Sequence, residues 1–342
     1  MDGDRTATLL GFAGAIGILL VLFWFVGVDD VLAALSRADL AIVALVIPVA
    51  LVWLSSWGLA LDTVLDALGA PIAAVKAILV FSAAVFSNNV TPFGQAGGEP
   101  VSALLISEAA DTEYETGLAA IASVDTLHFV PSIGFAIGAF TFVVTGADQP
   151  GQNVFYAAGA VATLAVVLPV GAYLGWRYRY ELEATVVRIL TPVLRSAGRV
   201  VPRWTAPSKT NIQDSIEGFF TSIDRVAGDR RALVVATGFS AMGWLALGVG
   251  LWLSLYSLDQ PVPFSAVMLA IPVSMVAGIL PLPGGSGAIE SVLVTLLVAT
   301  AGIPSAVALS AVLVYRGATY WLPILIGGGV ASFLGAGRAT SE

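Results

Sequence analysis

Ten apolar stretches, near 9–28, 40–61, 72–89, 97–110, 117–145, 154–176, 232–256, 264–280, 286–301 and 304–334, take up most of this chain. A bilayer core needs about 20 mostly apolar residues per crossing helix, and several of these stretches meet that length. Only 11% of the residues are charged, against about 25% in soluble domains. No soluble enzyme can hide this much apolar surface. The pattern predicts an all-α, polytopic integral membrane bundle, with residues 1–342 as a single membrane domain. The 36 Gly and 17 Pro fit membrane helices that approach closely and break. The short acidic N-terminus has no small-residue cleavage site, so the first stretch reads as a retained helix.

Charge sets the topology. Segment 177–231 holds 10 of the 15 Lys+Arg and 6 of the 23 Asp+Glu, a net +4, while the rest of the chain is −12. The positive-inside rule puts 177–231 in the cytoplasm, and Arg5 and Arg338 put both termini there, in a multi-pass protein of the cell membrane. Segment 72–110 must then begin and end inside, and 264–301 must begin and end outside. A helix of 14 residues, such as 97–110, spans about 21 Å, less than the hydrocarbon thickness of about 30 Å. Two broken, re-entrant helical hairpins entering from opposite faces satisfy these limits; two tilted full crossings per segment obey the same charge rule. Within 177–231 the stripes Leu182, Val186, Ile189, Leu190 and Val193, then Ile212, Ile216, Phe219, Phe220 and Ile223, predict an amphipathic connector. Its helices lie on the inner leaflet or pack on each other.

The two short segments share a pattern. The first break runs Asn88-Asn89-Val90-Thr91-Pro92-Phe93-Gly94-Gln95-Ala96-Gly97-Gly98-Glu99, and the second Pro281-Leu282-Pro283-Gly284-Gly285-Ser286-Gly287-Ala288-Ile289-Glu290. Each places Pro, then a Gly pair, then Glu at the entry to an apolar stretch. Pro92 and Pro281 are 189 residues apart, Glu99 and Glu290 191. The order helix–hairpin–helix also recurs, giving units 40–145 and 232–334 that run oppositely through the membrane: an inverted repeat. Unwound backbone in hydrocarbon leaves unpaired N–H and C=O groups, so it survives only under protein cover or along a wet cavity. Paired Gly/Pro-interrupted segments at matching positions mark the central site of transporters built this way, where half-helix N-termini can receive an anion. Packing kinks are the alternative.

Glu99, Asp125, His128, Glu290 and Arg316 lie inside apolar stretches. Each costs about 2.5–3.5 kcal/mol at the bilayer centre on insertion scales, which makes them functional candidates. Arg316 is expected to pair with one or both glutamates across the repeat interface, an anionic group competing for it; a structural ion pair is the alternative. Asp125 and His128 share a helix face, as a site or as a satisfied polar pair between helices. The predicted translocation site is Asn88, Asn89, Gln95, Gly97, Gly98, Glu99, Asp125, His128, Pro283, Gly284, Gly285, Glu290 and Arg316. With no Cys and one His, no metal site and no cofactor are expected. No nucleotide-binding G-x-x-x-x-G-K-[ST] occurs, so uphill work would draw on an ion gradient.

At Asn89, Thr91-Pro92-Phe93, Gly97-Gly98-Glu99-Pro100, Pro283-Gly284-Gly285, Glu290, Arg316, Pro323 and Gly327 the chain resembles the family of the lysylphosphatidylglycerol synthetase transmembrane region, also called flippase-like domain proteins. The likeness spans essentially the whole chain. Ser102 stands where members often carry a basic residue. The resemblance implies a stand-alone, archaeal-type member that moves a lipid or lipid-linked headgroup between leaflets, a glycosylated polyprenyl phosphate among the candidates. It also implies association with a lipid-modifying or glycosyl-transferring enzyme, and no nucleic-acid partner. A pI of about 4.6 fits a salt-loving source, or merely a GC-rich genome. The competing functions are a secondary transporter of a small solute and a membrane scaffold for a glycosyltransferase. No enzymatic role is expected, Asp125–His128 being the only candidate pair.

Overall fold

The computed structural model describes residues 2–91, 94–145, 209–280 and 282–339, with Val166, Val170, Leu174 and Arg177. Among these no strand occurs. α1 (Asp2–Val26) turns by 86° at Gly27 into α2 (Val28–Leu35). α3 (Leu40–Leu68), α4 (Ala74–Val90), α5 (Gly94–Ala110) and α6 (Tyr114–Thr145) follow. After the connector helix α7 (Lys209–Gly228) come α8 (Arg230–Tyr256) and α9 (Phe264–Met275). Two 3-10 turns, Val276–Ile279 and Pro283–Gly285, lead to α10 (Ala288–Ala301), α11 (Ser305–Thr319) and α12 (Trp321–Ala339). Among the described residues five stretches are long and apolar enough to cross a membrane: Leu40–Leu68, Tyr114–Thr145, Arg230–Tyr256, Pro283–Ala301 and Ser305–Phe333. The chain is an all-α, multi-pass membrane bundle. α4 and α5, 17 residues each, span only about 26 Å at 1.5 Å per residue.

Features of the first half recur at nearly constant spacing in the second. Asp39 caps α3 by accepting from the Ala41 and Ile42 N–H groups, and Asp229, 190 residues on, caps α8 by accepting from Arg231 and Ala232. A methyl added at Gly58 would sit 2.5 Å from Ile78 Cα; at Gly248 it would collide with Met268 Sδ, both partners again shifted by 190. Left-handed residues close the helices that follow: Gly69 and Asp259 are 190 apart, Asp111 and Gly302 are 191 apart. The halves also exchange packing partners. α4 lies on α12, where Gly327 meets the Ser82 carbonyl, and α9 lies on α6.

α3 and α8 form the centre. Leu54, Leu61 and Leu65 on one and Leu247, Leu251 and Leu255 on the other are fully buried. Lipid tails are as apolar as leucine, so close packing rather than water exclusion holds membrane helices together. Small residues provide it: Gly243 on α8 lies directly under the Trp57 ring of α3, whose Nε1 donates to the Ser240 carbonyl at 3.2 Å.

The connector is helical over Lys209–Gly228, and it packs on α6 and α3, with half-buried Phe219, Phe220 and Ile223 and buried Val226. Arg225 Nη1 donates to the Leu68 carbonyl at 2.9 Å, satisfying an open carbonyl of the last turn of α3. The stripe at 181–200 and nearly all of 154–176 lie outside the described residues.

Candidate functional site

The second break is shaped by glycine. Gly284, Gly285 and Gly287 hold φ of +55°, +63° and +85°, a region L side chains rarely enter. At Gly284 a Cβ would also stand 2.6 Å from the Tyr320 ring and 2.7 Å from Asn89 Oδ1. Pro283 is buried beside it. The turn delivers Glu290 into the first turn of α10, where its Oε2 accepts from the Gly287 N–H and its Oε1 from Arg316 Nε at 2.6 Å. The helix N-terminus thus already holds an anion, the carboxylate of the chain's own Glu290. Arg316 Nη2 donates to the Gly284 carbonyl at 3.1 Å, and its guanidinium lies 4.8 Å from the Tyr320 ring centroid. Glu290 is 5% exposed, and such a charge is tolerated only when paired and hydrogen-bonded.

The first break meets the second here. Asn89, at the end of α4, donates through Nδ2 to the Tyr320 carbonyl at 3.5 Å, and Tyr320 OH donates back to the Asn89 carbonyl at 3.3 Å. Tyr320 sits where α11 gives way to α12. Asn89, Gly284, Tyr320 and the Arg316–Glu290 pair therefore form one polar knot joining both interruptions. Gly98 presses on Asn88 so closely that a Cβ would stand 2.6 Å from the Asn88 backbone, and Asn88 Oδ1 is buried with no hydrogen-bond donor. Ser102, fully buried, donates to the Gly98 carbonyl at 3.0 Å.

The remaining expected residues fall into two places. Glu99 and Gly97 are half-buried near the start of α5, which packs against the second break. Among the described residues Arg316 pairs with Glu290 and not with Glu99, which has no ion pair. His128 lies in a separate cluster between α3, α6 and α8: its ring stacks on Trp57 at 3.9 Å, Nδ1 meets Ser240 Oγ at 2.7 Å, and its carbonyl accepts from Trp244 Nε1 at 2.9 Å. Nε2 is buried without a partner, and Ser240 is fully buried. A catalytic Ser–His pair needs a carboxylate on the second imidazole nitrogen and access for substrate; among the described residues no carboxylate meets Nε2, and both side chains are buried. Asp125 is half-exposed on α6. Pro92, Phe93, Pro281 and the Gln95 side chain lie outside the described residues.

The model of the lysylphosphatidylglycerol synthase TM region matches residues 8–327, nearly the whole chain. The chain belongs to that family. Its relatives include a UPF0104 membrane protein of Methanothermobacter thermautotrophicus, 27% identical over 95% of this chain and 92% of the other. A UPF0104 membrane protein of Pyrococcus horikoshii is 25% identical over 91% and 92%, and one of Methanocaldococcus jannaschii 25% identical over 90% and 89%. This lysylphosphatidylglycerol synthase-type membrane region keeps its glycine turn and its Arg316–Glu290 pair at one point. Tyr320 is the site residue that the sequence flagged least. Its signal was position: an aromatic hydroxyl one turn after a buried Arg and three residues before Pro323.

Proposed function

We propose that the protein moves the polar headgroup of a lipid, or of a lipid-linked sugar, between leaflets while the hydrocarbon chains stay in the bilayer. The observation that carries this reading is the Arg316 guanidinium, held against the glycine turn of the second break by a single carboxylate and a carbonyl. A phosphate can replace those acceptors with stronger, charge-assisted bonds. The 190-residue correspondences, the exchanged packing of α4 on α12 and α9 on α6, and the opposite senses demanded by charge support an inverted repeat, the design in which two half-pathways alternate. Membership in a family named for a lipid synthase's membrane region supports a lipid cargo over a soluble one. The positive-inside rule supports a cytoplasmic 177–231 and cytoplasmic termini in the cell membrane.

The test is reconstitution into liposomes carrying fluorescent anionic phospholipid or short polyprenyl-phosphate sugar in one leaflet, with reporter quenching from outside. Wild-type protein should accelerate exchange of one of these, and Arg316→Gln should slow it at least about tenfold, the kinetic equivalent of about 1.4 kcal/mol. Full-rate exchange by a well-folded Arg316→Gln protein removes Arg316 from the mechanism. Uptake of water-soluble solutes with no lipid exchange selects the small-solute transporter instead. Because the chain has no cysteine, single replacements also test topology. Ala74→Cys and Thr112→Cys should react with an impermeant maleimide from one side of the membrane, and Gln260→Cys and Ser305→Cys from the other.

A further inference from the structure

The two glutamates of the matching breaks are not equivalent, and the difference is chemical. Glu290 is neutralised from within, by Arg316 and the Gly287 N–H. Glu99 stands 191 residues earlier, and the position 191 before Arg316 is Asp125. Where the second half supplies a guanidinium, the first supplies another carboxylate. The register of α5 on α6, fixed where Gly117 packs on Ala103 and Ser107, brings Asp125 to the level of Glu99 along these antiparallel helices.

Among the described residues, no element packed on α5 supplies Glu99 with a fixed cation. α5 packs on α4, α6 and the second break. On α4 the one charged residue is Lys76, in the first turn, at the end away from Asn88 and Gly98. On α6 the ionisable groups are Tyr114, Glu115, Asp125 and His128, and the His128 Nδ1 is engaged by Ser240. The 3-10 turns of the second break carry no ionisable side chain, and Arg316 is committed to Glu290. One residue before Glu99, Gly98 presses on Asn88, whose Oδ1 is a buried acceptor with no donor among the described residues. An ionised carboxylate only accepts hydrogen bonds; a protonated one donates.

We infer that Glu99 is the proton carrier of the transport cycle: its carboxylate binds one proton from the water on one face and releases it to the other, while Glu290 remains held by Arg316 and the Gly287 N–H. This rests on the translocation reading above and adds its coupling: a proton as the exchangeable counter-charge in the repeat unit 40–145, which contains no arginine. On loading, an O–H bond of a hydronium ion breaks as one forms on the Glu99 carboxylate; on release the Glu99 O–H bond breaks and the proton returns to water as hydronium.

Two measurements separate this inference from the one it rests on. Infrared difference spectra of purified wild-type protein, recorded as pH is lowered, should show a carboxylic-acid C=O band that is absent in Glu99→Gln and retained in Glu290→Gln. This readout needs no cargo. Presence of the full band in Glu99→Gln overturns the assignment even if lipid exchange occurs. In liposomes with an imposed pH gradient, lipid exchange by wild type should change at least about threefold on reversing the gradient, and the exchange by Glu99→Gln should be indifferent to its direction. A wild-type response to a sodium gradient with none to pH overturns the proton as the coupling ion. A normal infrared result with no lipid exchange under any condition leaves Glu99 as the proton-binding group and sinks the lipid reading alone.

Discussion

The two interruptions solve the same physical problem in different ways. Both interrupt helices of a membrane bundle, where unpaired backbone groups are costly. The first, at the end of α4, does so by close approach: Gly98 lies on the Asn88 backbone and the buried Ser102 hydroxyl closes onto the Gly98 carbonyl. The second does so by conformation and charge, with three left-handed glycines and an internal ion pair. One break is held by shape, and its Glu99 has no ion pair among the described residues; the other is held by charge, its Glu290 paired with Arg316. A two-fold repeat need not be a two-fold site, and the asymmetry falls on the ionisable residues.

The comparison is most exposed to breakage at the ion pair. Replacing Arg316 by Leu leaves the Glu290 carboxylate buried without its counter-ion, and should destabilise the detergent-solubilised protein by about 3–5 kcal/mol in denaturant unfolding. Combining Arg316→Leu with Glu290→Leu should recover most of that loss and no transport. Equal losses in the single and double replacements would mean that the pair is not what holds the second break. Next in size is Gly284→Ala, which meets both a left-handed backbone and the Tyr320 and Asn89 contacts, and should cost about 2–4 kcal/mol. Gly98→Ala, ordinary in conformation but blocked by backbone, should cost about 1–3 kcal/mol. Gly134→Ala, with open space around it, is the control and should be neutral or slightly stabilising. If Gly98→Ala were as harmless as Gly134→Ala, close approach would not be the principle of the first break. Asn89→Ala, which removes the link between the breaks, should cost about 1 kcal/mol, the usual worth of a hydrogen bond, as a shifted melting temperature.

How far the sequence could be read follows from what kind of physics fixes each feature. The bundle and the positions of the breaks were legible because hydrophobicity, Gly and Pro act locally along the chain. That Arg316 would meet a glutamate was legible too, since a buried charge demands a partner. Which glutamate was not, because the choice depends on how Gly284, Gly285 and Gly287 aim the start of α10. The enclosure of His128 by Trp57, Trp244 and Ser240 was equally hidden: those residues lie on α3 and α8, more than a hundred positions from Ser240 to His128 and as local sequence indistinguishable from lipid-facing aromatics. The Asp125–Arg316 correspondence was present in the spacing, but it becomes visible only once caps and left-handed residues fix the offset between the halves.

The smallest expected effect tests the comparison most finely. Glu99→Gln keeps the size and shape of the side chain and removes only its charge. Because Glu99 has no ion pair among the described residues, no folded-state interaction of that strength is lost, and stability in denaturant should change by less than about 0.5 kcal/mol, as for substitutions away from buried networks. Glu290→Gln, the same chemical change 191 residues on, takes the counter-ion from Arg316 and should lose several times as much. A silent Glu99→Gln beside a damaging Glu290→Gln is what a fixed charge in one half and an exchangeable one in the other require. Equal destabilisation by both would make Glu99 a structural carboxylate like its counterpart, and the asymmetry between the two breaks would reduce to geometry alone.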